Sequence, residues 1–395
     1  MKVAFVVQRY GVEIVGGAEQ GCRHLAELMS DTWDVSVITS CAKNYHTWAN
    51  EYEPGTESIN NIQVHRFPVA MERDIKDFSE RSSAEEQRAY SLSPDEEADR
   101  FIRQGPYTPE LVEYIEKSKN DYDIFIFYTY LYYSTVVGAS KVAAKSYLVT
   151  TAHDEPPFYF VRTYAPLFHS LKGLIYLSPA EKHLVNRIYE IPPQVQQIES
   201  GIGVAPSVEL TPLETSECLK KFQKILDVPY LLYLGRIAHA KGCKDLLRHF
   251  CAIQAAGNYP IKLVLAGSTE IDIPERGDVE YLGFVTEKEK AFLLSRSRAL
   301  INPSSLESFS IVIMEAWRYS RPVIVNAASD VMREHCDQSG GGMYYYSPEM
   351  LRGIIEWLLA NKDLATEFGK KGSEYVAKKY SWEQVKTNLI EAIGT

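Results

Sequence analysis

Cysteine is scarce in this chain and forms no pattern typical of a metal site or a disulfide framework. The 395 residues contain no C-x-x-C pair, and the six cysteines are Cys22, Cys41, Cys218, Cys243, Cys251 and Cys336. Such isolated thiols favour reduced, structural cysteines in a cytoplasmic protein. The sequence therefore predicts no zinc centre.

Long apolar runs are missing as well. The longest ones stop well short of the roughly 18 residues that a membrane-spanning helix needs. The N-terminal stretch MKVAFVVQRY has only five apolar residues before Gln8 and Arg9. It therefore predicts a first β-strand and not a signal peptide, which again favours the cytoplasm.

The chain also lacks an excess of positive charge. Its formal net charge is −10, and residues 1–200 carry 19 Lys and Arg against 28 Asp and Glu. An acidic N-terminal half argues against nucleic acid as a partner and against a broad basic membrane-binding face. A local basic patch is still compatible with weak peripheral membrane association, at the inner face of the membrane. Nothing in the sequence indicates an oligomeric state.

What the chain does have is two series of short apolar runs separated by helical patterns, which predict an α/β fold with parallel sheets. A length of 395 residues also suggests two domains. The first series comprises VAFVV, DVSVITS, QVHRF, DIFIFY, SYLVTTA, GLIYLS and VQQIES, and the second comprises YLLYLGR, IKLVLAGS, VEYLGF, RALINPS and RPVIVN. We therefore predict two doubly wound, Rossmann-like domains.

The predicted boundaries follow from these series and from proline-containing, strand-poor stretches. Residues 1–205 form the predicted N-terminal domain and residues 229–378 the C-terminal domain, with a linker at 206–228. A charged stretch at 72–106 interrupts the first domain. It is interpreted as a solvated helical insertion, with a lid or acceptor-selecting element as the functional alternative.

The usual nucleotide-binding fingerprints are missing, because the chain has no G-x-G-x-x-G after its first strand and no G-K-[ST] there. The loop after that strand instead carries Gly16 and Gly17 before a helical pattern. Bare backbone N–H groups at such a position are able to approach a phosphate or a sugar. A Gly-Gly pair by itself is more often only a turn.

Other polar residues follow predicted strands, at the sheet edge where α/β proteins bind ligands. His153 follows SYLVTTA, and it is as compatible with a structural histidine as with a functional one. Arg236 and Lys241 follow YLLYLG and would suit a diphosphate, although surface cations are the ordinary alternative. Gly267 and Val285 end two further runs at the same edge.

The stretch ESFSIVIMEA places Glu307 and Glu315 on either side of an apolar run. We predict that Glu307 lies in a loop and that a helix begins near Phe309. The first N–H groups of that helix, at Ser310 and Ile311, would then point toward the predicted diphosphate site. The carboxylates of Glu307 and Glu315 would accept hydrogen bonds from sugar or ribose hydroxyls.

A pair of aspartates resembles a metal-binding D-x-D motif. Asp121 and Asp123, however, precede the strand DIFIFY, at its amino end. Ligand sites of open α/β sheets lie at the opposite edge. We therefore predict that these residues are part of a loop and that the protein binds no metal.

Together these motifs resemble the retaining glycosyltransferases of family 4, which have the GT-B fold. The matching stretches cover nearly the whole chain: GGAE at 16–19, TTAHD at 150–154, LGRIAHAKG at 234–242, LVLAGS at 263–268, YLGFV at 281–285, ESFSIVIMEA at 307–316 and YSWEQV at 380–385. The family often has glycine where Ser308 and Ser310 stand here. That difference narrows the pocket expected for the nucleotide-sugar but removes no backbone N–H group.

The resemblance implies two Rossmann-like domains whose parallel sheets face each other across a cleft, with a C-terminal helix at 379–395 crossing back to the first domain. Arg236 and Lys241 would neutralise the diphosphate of a nucleotide-sugar, with amides at Gly17, Ser310 and Ile311. The other implied roles are ribose binding by Glu315, sugar binding by Glu307, base contact near Val285 and contact with the transferred sugar by His153. Further donor-binding residues implied by the resemblance are Gly16, Gly267 and Phe309.

The reaction implied is metal-independent hexose transfer with retention of configuration, with UDP-glucose as the first donor to consider. The acceptor would be a glycan or a lipid-linked sugar in surface-polysaccharide synthesis, and no cofactor is required. The alternatives are a sugar-nucleotide epimerase or a phosphorylase of the same architecture and a non-catalytic nucleotide-sugar-binding protein. No motif anchors the pyridoxal cofactor that such a phosphorylase needs.

Overall fold

The structure is a computed structural model, and it describes residues 1–14, 16–88 and 92–394. The chain divides into two compact units. The first consists of residues 1–203 and 385–395, and the second of residues 204–384. The chain end therefore returns to the first unit, where the indole N–H of Trp33 donates to the Gly394 carbonyl at 3.0 Å. Lys386 forms an ion pair there with Asp31.

The first unit is built on an eight-stranded sheet with the order β3-β4-β2-β1-β5-β6-β7-β8. All neighbouring strands are parallel except β3, which pairs antiparallel with β4 at the edge. The strands are β1 (Lys2–Val6), β2 (Asp34–Ser40), β3 (Gly55–Ile59), β4 (Ile62–Phe67), β5 (Ile124–Tyr128), β6 (Ser146–Val149), β7 (Gly173–Tyr176) and β8 (Gln196–Glu199).

The helices of this unit lie in the segments that connect its strands. They are α1 (Gly17–Met29), α2 (Ile75–Gln87), α3 (Pro94–Gln104), α4 (Pro109–Lys117), α5 (Tyr133–Lys141), α6 (Pro157–Phe160), α7 (Tyr164–Ser170) and α8 (Pro179–Tyr189). Four of them have proline at the first turn, where its fixed φ suits the helix and its missing N–H is not needed.

The second unit has a six-stranded, fully parallel sheet with the order β11-β10-β9-β12-β13-β14. Its strands are β9 (Tyr230–Leu234), β10 (Lys262–Ala266), β11 (Val279–Tyr281), β12 (Ala299–Asn302), β13 (Val323–Asn326) and β14 (Gly342–Tyr345). Its helices are α9 (Pro212–Lys221), α10 (Cys243–Gly257), α11 (Glu287–Arg296), α12 (Ile311–Arg318), α13 (Asp330–Ser339), α14 (Pro348–Ala360) and α15 (Lys362–Lys379), and α16 (Trp382–Ile393) continues into the first unit.

Both sheets reverse their strand order beside their first strand. In the first unit the reversal lies between β1 and β5, and in the second between β9 and β12. Loops on either side of such a point leave in opposite directions and open a crevice at the carboxyl edge, where ligands of doubly wound folds bind. The predicted α/β fold class is therefore confirmed, and each unit contains one such crevice.

The predicted linker and the predicted insertion both differ in the structure from what the sequence indicates. Residues 206–228, predicted as a linker, contain α9 and belong to the second unit. The predicted insertion at 72–106 contains α2 and α3, apart from residues 89–91, which lie outside the described residues. It is anchored rather than only solvated, because the buried carboxylate of Glu97 accepts hydrogen bonds from the backbone N–H groups of Arg162 and Thr163 at 2.9 and 3.0 Å.

Two strands were not predicted from the sequence. β3, GTESI, is largely exposed at the sheet edge, so it lacks the apolar pattern of a core strand. β14, GMYY, begins at a glycine and pairs with β13 at the opposite edge of the second sheet. The glycine has a packing reason, since a Cβ at Gly342 would lie 2.5 Å from a Val323 methyl group.

Candidate functional site

The loops that follow β9 and β12 meet at the crevice of the second sheet, because these two strands are parallel neighbours. The ammonium of Lys241 donates a hydrogen bond to Oε1 of Glu307 at 2.9 Å. The Lys241 side chain is 35 % exposed and the Glu307 side chain 15 %. These two predicted site residues are therefore brought together, with the cation still accessible from solvent.

Close backbone contact between the two loops depends on one glycine. Gly242 has φ +72°, and a Cβ there would lie 2.4 Å from the carbonyl oxygen of Pro303. A side chain at this position would be strained by its φ and would also collide with backbone. Gly242 therefore allows Lys241, its neighbour in the chain, to reach Glu307.

Arg236 lies in the same loop as Lys241 but has a different partner. Its Nη1 lies 3.2 Å from Oε1 of Glu270, and the Arg236 side chain is 41 % exposed. The Ile237 N–H donates to the Ser268 carbonyl at 2.7 Å, and the Glu270 N–H donates to the Ile237 carbonyl at 2.9 Å. The loops after β9 and β10 are thus joined, and Glu270 holds the guanidinium by one exposed ion pair that a ligand is able to replace.

The backbone turns sharply into α12 at Ser310. This residue has φ +65° and caps the helix, whose first helical residue is Ile311. Asn302, the last residue of β12, donates from Nδ2 to the Ser310 hydroxyl oxygen at 2.9 Å. The helix therefore starts two residues later than the predicted Phe309. The N–H groups that its first turn offers belong to Ile311 and Val312, because the Ile313 N–H donates to the Ser310 carbonyl at 3.2 Å.

The side chain of Phe309 is buried in the core of the second unit. Its ring makes edge contacts with His335 at 5.5 Å and Tyr380 at 5.0 Å between centroids. The predicted donor-binding role of Phe309 can therefore concern its backbone only. The side chain instead anchors the loop that carries Glu307 to the core.

Glu315 is paired with a lysine that no sequence motif indicates. Lys290 donates to Oε1 of Glu315 at 2.7 Å and also pairs with Glu287 at 2.8 Å. Burial alone would lower the pKa of Lys290, but the two carboxylates outweigh it and the pKa is raised. Lys290 is thus a cation at all physiological pH values, beside the carboxylate predicted to bind ribose.

Gly267 and Val285 lie at the same edge, in the loops after β10 and β11. Gly267 has φ +138°, and a Cβ there would lie 2.0 Å from the Gly235 carbonyl oxygen. Its N–H donates to the Gly283 carbonyl at 2.8 Å. Val285 is half-buried, whereas the neighbouring Phe284 ring is 75 % exposed. The loops after β9, β10 and β11 therefore form one continuous edge.

In the first unit, Gly16 and Gly17 mark the start of α1, at the carboxyl end of β1. A Cβ at Gly16 would lie 2.0 Å from the carboxylate of Glu19, whereas nothing lies within 4 Å of one at Gly17. Glu19 is buried and accepts hydrogen bonds from Nε and Nη2 of Arg9 at 2.9 and 2.6 Å. Sequence reasoning missed this ion pair.

His153 follows β6, at the carboxyl edge of the first sheet. Its Nδ1 lies 3.7 Å from Oε1 of Glu155, which also accepts a hydrogen bond from the Tyr130 hydroxyl at 2.7 Å. The side chain of His153 is 31 % exposed. The histidine therefore has access to solvent while a carboxylate lies beside its ring.

A buried glutamate that sequence reasoning missed is hydrogen-bonded to the residues just before His153. Glu181, in the first turn of α8, accepts hydrogen bonds from the Thr150 hydroxyl at 2.6 Å and from the Ala152 N–H at 2.5 Å. Its second oxygen accepts from the Leu177 N–H at 2.6 Å. Burial raises the pKa of Glu181 to about 7 although these hydrogen bonds lower it. One side chain thus ties the ends of β6 and β7 together.

The D-x-D pair lies where the sequence placed it, at the amino end of β5. Oδ2 of Asp123 accepts a hydrogen bond from the backbone N–H of Lys2 at 2.7 Å. Among the residues described, no group of three or more histidine, cysteine, aspartate and glutamate side chains is able to hold a metal ion. In the same part of the chain, no helix has the length and apolar character to span a bilayer.

The second unit thus combines three cations with their carboxylate partners and the N-terminus of α12, and the cations are Arg236, Lys241 and Lys290. The family described as "Glycosyl transferases group 1" matches residues 215–375, a range that includes the loops after β9 and β12. Residues 215–375 therefore resemble the group 1 glycosyl transferases.

Relatives extend the likeness to the rest of the chain. An uncharacterised glycosyltransferase of Methanocaldococcus jannaschii is 23 % identical over 404 residues, which cover 99 % of this chain and 97 % of the relative. O-antigen chain mannosyltransferase B of Escherichia coli is 24 % identical over 274 residues, or 62 % of this chain and 69 % of the relative.

A solved structure shows the same fold. HepE of Anabaena, in complex with UDP and glucose, superposes with a TM-score of 0.70 at 15 % identity, covering 99 % of this chain and 98 % of HepE. The likeness to group 1 glycosyl transferases is thus found at residues 215–375, and the GT-B fold expected from the sequence is confirmed.

Proposed function

We propose that this protein transfers a hexose from a nucleotide diphosphate sugar to a glycan or lipid-linked acceptor, with retention of anomeric configuration, as in family 4. The observation that carries the proposal is the convergence of Lys241, Glu307 and the N-terminus of α12 at the crevice of the second sheet. Each element suits one part of such a donor.

The diphosphate would replace the carboxylates that now accompany the two cations. Lys241 and Arg236 are both accessible, and each is held by one carboxylate, Glu307 or Glu270. A diphosphate carries more charge than either carboxylate and would also meet the N–H groups of Ile311 and its neighbours. Gly17 is an exposed residue at the start of α1 in the first unit, and its amide is a further candidate donor.

The displaced carboxylates and their neighbours would then recognise the rest of the donor. Glu307 would accept hydrogen bonds from sugar hydroxyls, and Glu315, oriented by Lys290, would accept them from the ribose diol. The base would lie near Val285. His153 would contact the transferred sugar, next to the Glu155 carboxylate.

The chemical difficulty of this reaction is a departing nucleoside diphosphate beside an oxocarbenium-like sugar. Fixed cations and helix N–H groups stabilise the developing negative charge most strongly where water is excluded. Because Arg236 and Lys241 supply positive charge at this point, we infer that transfer needs no metal. A UDP-sugar is the first donor to test, and HepE was solved with UDP and glucose bound.

The acceptor is proposed from the activities for which relatives are named. One relative is an O-antigen mannosyltransferase and another an α-monoglucosyldiacylglycerol synthase of Streptococcus pneumoniae, so a polysaccharide or a lipid-linked sugar is the class we propose. Action at the inner face of the membrane would bring the enzyme to such an acceptor.

The donor is tested by calorimetric titration of the full chain with UDP, GDP and ADP, followed by their hexose conjugates. We expect one nucleotide to bind and its sugar conjugate to be hydrolysed slowly without acceptor, with release of the α-anomer and unchanged rates in EDTA. Binding without any hydrolysis would indicate a non-catalytic protein. Conversion of the sugar to its epimer would indicate an epimerase, and complete loss in EDTA restored by Mn²⁺ would contradict the metal-independent mechanism.

A further inference from the structure

The carboxylate of Glu155 lies beside the imidazole ring of His153, which stands two positions earlier in the chain. The Glu155 N–H donates to the His153 carbonyl at 2.9 Å and closes a three-residue turn in the loop after β6. This turn brings Oε1 of Glu155 to 3.7 Å from Nδ1 of His153. The distance is too long for a hydrogen bond, but the charge of the carboxylate acts on the ring, and contacts of this kind often shorten when a substrate binds.

Glu155 is held by its backbone and by its side chain. Its carbonyl accepts a hydrogen bond from the Phe158 N–H at 3.0 Å, and its carboxylate accepts one from the Tyr130 hydroxyl at 2.7 Å. Pro156 and Pro157 follow it and restrict the chain further. The position of the carboxylate is therefore set by a tyrosine from another loop, the one after β5.

Tyr130 is suited to hold a carboxylate because it is itself fixed in the core. It is fully buried, and its ring makes edge contacts with Phe158 at 5.0 Å and Tyr164 at 4.9 Å between centroids. Its backbone N–H donates to the Thr150 carbonyl at 3.3 Å. Burial raises the pKa of the Tyr130 hydroxyl well above its usual value, and the charge of Glu155 raises it further. The hydroxyl therefore keeps its proton and donates it to the carboxylate.

One oxygen atom of Glu155 connects the tyrosine with the histidine. Oε1 accepts from the Tyr130 hydroxyl and also faces Nδ1 of His153. A carboxylate fixed beside one imidazole nitrogen favours a proton on that nitrogen and holds the ring in one orientation. The His153 side chain is 31 % exposed, so a ring oriented in this way remains accessible to a ligand.

We propose that Glu155, held by Tyr130, is a positioning residue that orients His153 for contact with the transferred sugar. This role rests on the proposed transferase function, which places His153 at that sugar. Glu155 acts through the imidazole, since it keeps the proton on Nδ1. Tyr130 acts through the carboxylate, since its hydroxyl prevents Glu155 from turning toward solvent.

The kinetic test is a double-mutant cycle on the full chain. Glu155→Gln keeps the shape of the side chain and an oxygen that accepts from Tyr130, but it removes the charge. We expect kcat to fall by about 10-fold, while the donor KM and the Kd for UDP stay within about a factor of two. In the His153→Ala background the same change should alter kcat by less than about 2-fold, because the group on which Glu155 acts is gone. Equal losses in both backgrounds, or wild-type kinetics in Glu155→Gln, would overturn the proposal.

Two variants of the first unit serve as matched controls. Glu116→Gln removes the charge of an exposed carboxylate that is paired with Lys141. Tyr147→Phe removes a hydroxyl that donates to Gln196 at 2.7 Å, from a tyrosine that is as buried as Tyr130. Both should leave kcat unchanged. Tyr130→Phe should lower kcat by about 3-fold, because the carboxylate loses the hydrogen bond that fixes it.

A second readout does not depend on activity. In protein with isotope-labelled histidine, the nitrogen chemical shifts of the His153 ring show which nitrogen carries the proton, and His153→Ala assigns the signals. At about pH 9, above the ordinary histidine pKa of roughly 6.5, we expect the proton on Nδ1 in the wild type. Tyr130→Phe/Glu155→Met should shift it toward Nε2, and it replaces both hydrogen-bonding partners, so that no buried hydroxyl loses its acceptor. Identical ring shifts in these two proteins would contradict the role of Glu155.

The two proposals fail in different ways. If the wild type neither transfers nor hydrolyses any donor, the transferase proposal fails, while the ring shifts still decide whether Glu155 positions His153. If the wild type is active and Glu155→Gln is equally active, only the positioning role fails. Should urea unfolding show that Glu155→Gln does not fold, Tyr130→Phe/Glu155→Met takes its place in the kinetic cycle.

Discussion

Lys241 and Glu307 are 66 positions apart in the chain, yet the lysine ammonium lies 2.9 Å from the glutamate carboxylate. The sequence assigns them to different parts of a donor, the diphosphate and the sugar. In the structure the two side chains form an ion pair, so each neutralises the charge of the other. A diphosphate would therefore compete with Glu307 for Lys241, and its arrival would free the carboxylate to accept sugar hydroxyls.

Lys241→Ala should therefore weaken the donor site in two ways. It removes a cation from the leaving group and leaves the mostly buried Glu307 without its partner. We expect kcat to fall by about 10² to 10³, as for the loss of one stabilising donor at a developing oxyanion. Steady-state kinetics check this, with Arg248→Ala, an exposed arginine paired with Asp245 on α10, as the control. Wild-type kinetics in Lys241→Ala would contradict the diphosphate assignment.

Lys290→Met should raise the KM for the donor with little change in kcat. Lys290 does not meet the reacting atoms in our assignment but orients Glu315, and a hydrogen bond to a charged group contributes roughly 1.5–3 kcal/mol. About a 10-fold rise in KM is therefore expected. Lys288→Met is the matched control, since Lys288 lies on the same helix and pairs with Glu214. A large loss of kcat at unchanged KM would show that Lys290 acts otherwise.

Gly242→Ala should disrupt the site through the backbone. Its methyl group would lie 2.4 Å from the Pro303 carbonyl oxygen at a φ of +72°, so the loops after β9 and β12 would separate. We expect a loss of about 1–3 kcal/mol in the free energy of unfolding and weaker UDP binding. Gly353→Ala, in helix α14 with no atom within 4 Å of the added methyl group, should instead stabilise the protein slightly. Equal urea midpoints for the two variants would contradict this account.

Sequence patterns predicted most of the strands because central strands of parallel sheets are apolar throughout. β5, IFIFY, is buried at every residue and is recognisable without any other information. β3 is exposed and antiparallel, so its composition does not distinguish it from a loop. The prolines of segment 206–228 suggest a linker, but Pro212 opens α9, where proline is compatible with a helix.

The candidate site likewise contains some residues that sequence patterns indicate and others that they do not. Arg236, Lys241 and Glu307 could be selected because they follow strands at the carboxyl edge of a sheet. Lys290 and Glu181 could not, since each lies inside a helix and acquires its role only by reaching a residue of another element. The prediction for Phe309 rests on its neighbours in the chain, whereas the left-handed backbone at Ser310 moves the helix start and leaves the ring in the core.

His153→Ala should impair transfer without weakening nucleotide binding, because His153 belongs to the first unit and our assignment places it at the transferred sugar. We expect kcat to fall by about 10² while the Kd for UDP stays within a factor of two. His183→Ala, an exposed histidine on α8, is the matched control. A parallel loss of UDP affinity would indicate that His153 supports the fold of the site instead.

The stability of the first unit should depend on pH through Glu181. The folded carboxyl group retains its proton up to a pKa of about 7, whereas the unfolded group releases it near 4.5. Between these values the folded state binds more protons, so the contribution of Glu181 to the free energy of unfolding falls as pH rises and levels off above about 7. The change is on the order of 3 kcal/mol, because each pKa unit corresponds to about 1.4 kcal/mol.

Glu181→Gln removes this dependence, since an amide does not titrate. It also places an N–H group against donors such as the Ala152 or Leu177 N–H, so the variant should be less stable than wild type at pH 5. The deficit should shrink or reverse at pH 8, where the wild-type Glu181 carboxylate is ionised in a buried site. Urea unfolding at both pH values measures it, with Glu199→Gln, a surface carboxylate paired with Lys182, as the control. A difference between Glu181→Gln and wild type that is the same at pH 5 and pH 8 would show that burial does not raise this pKa.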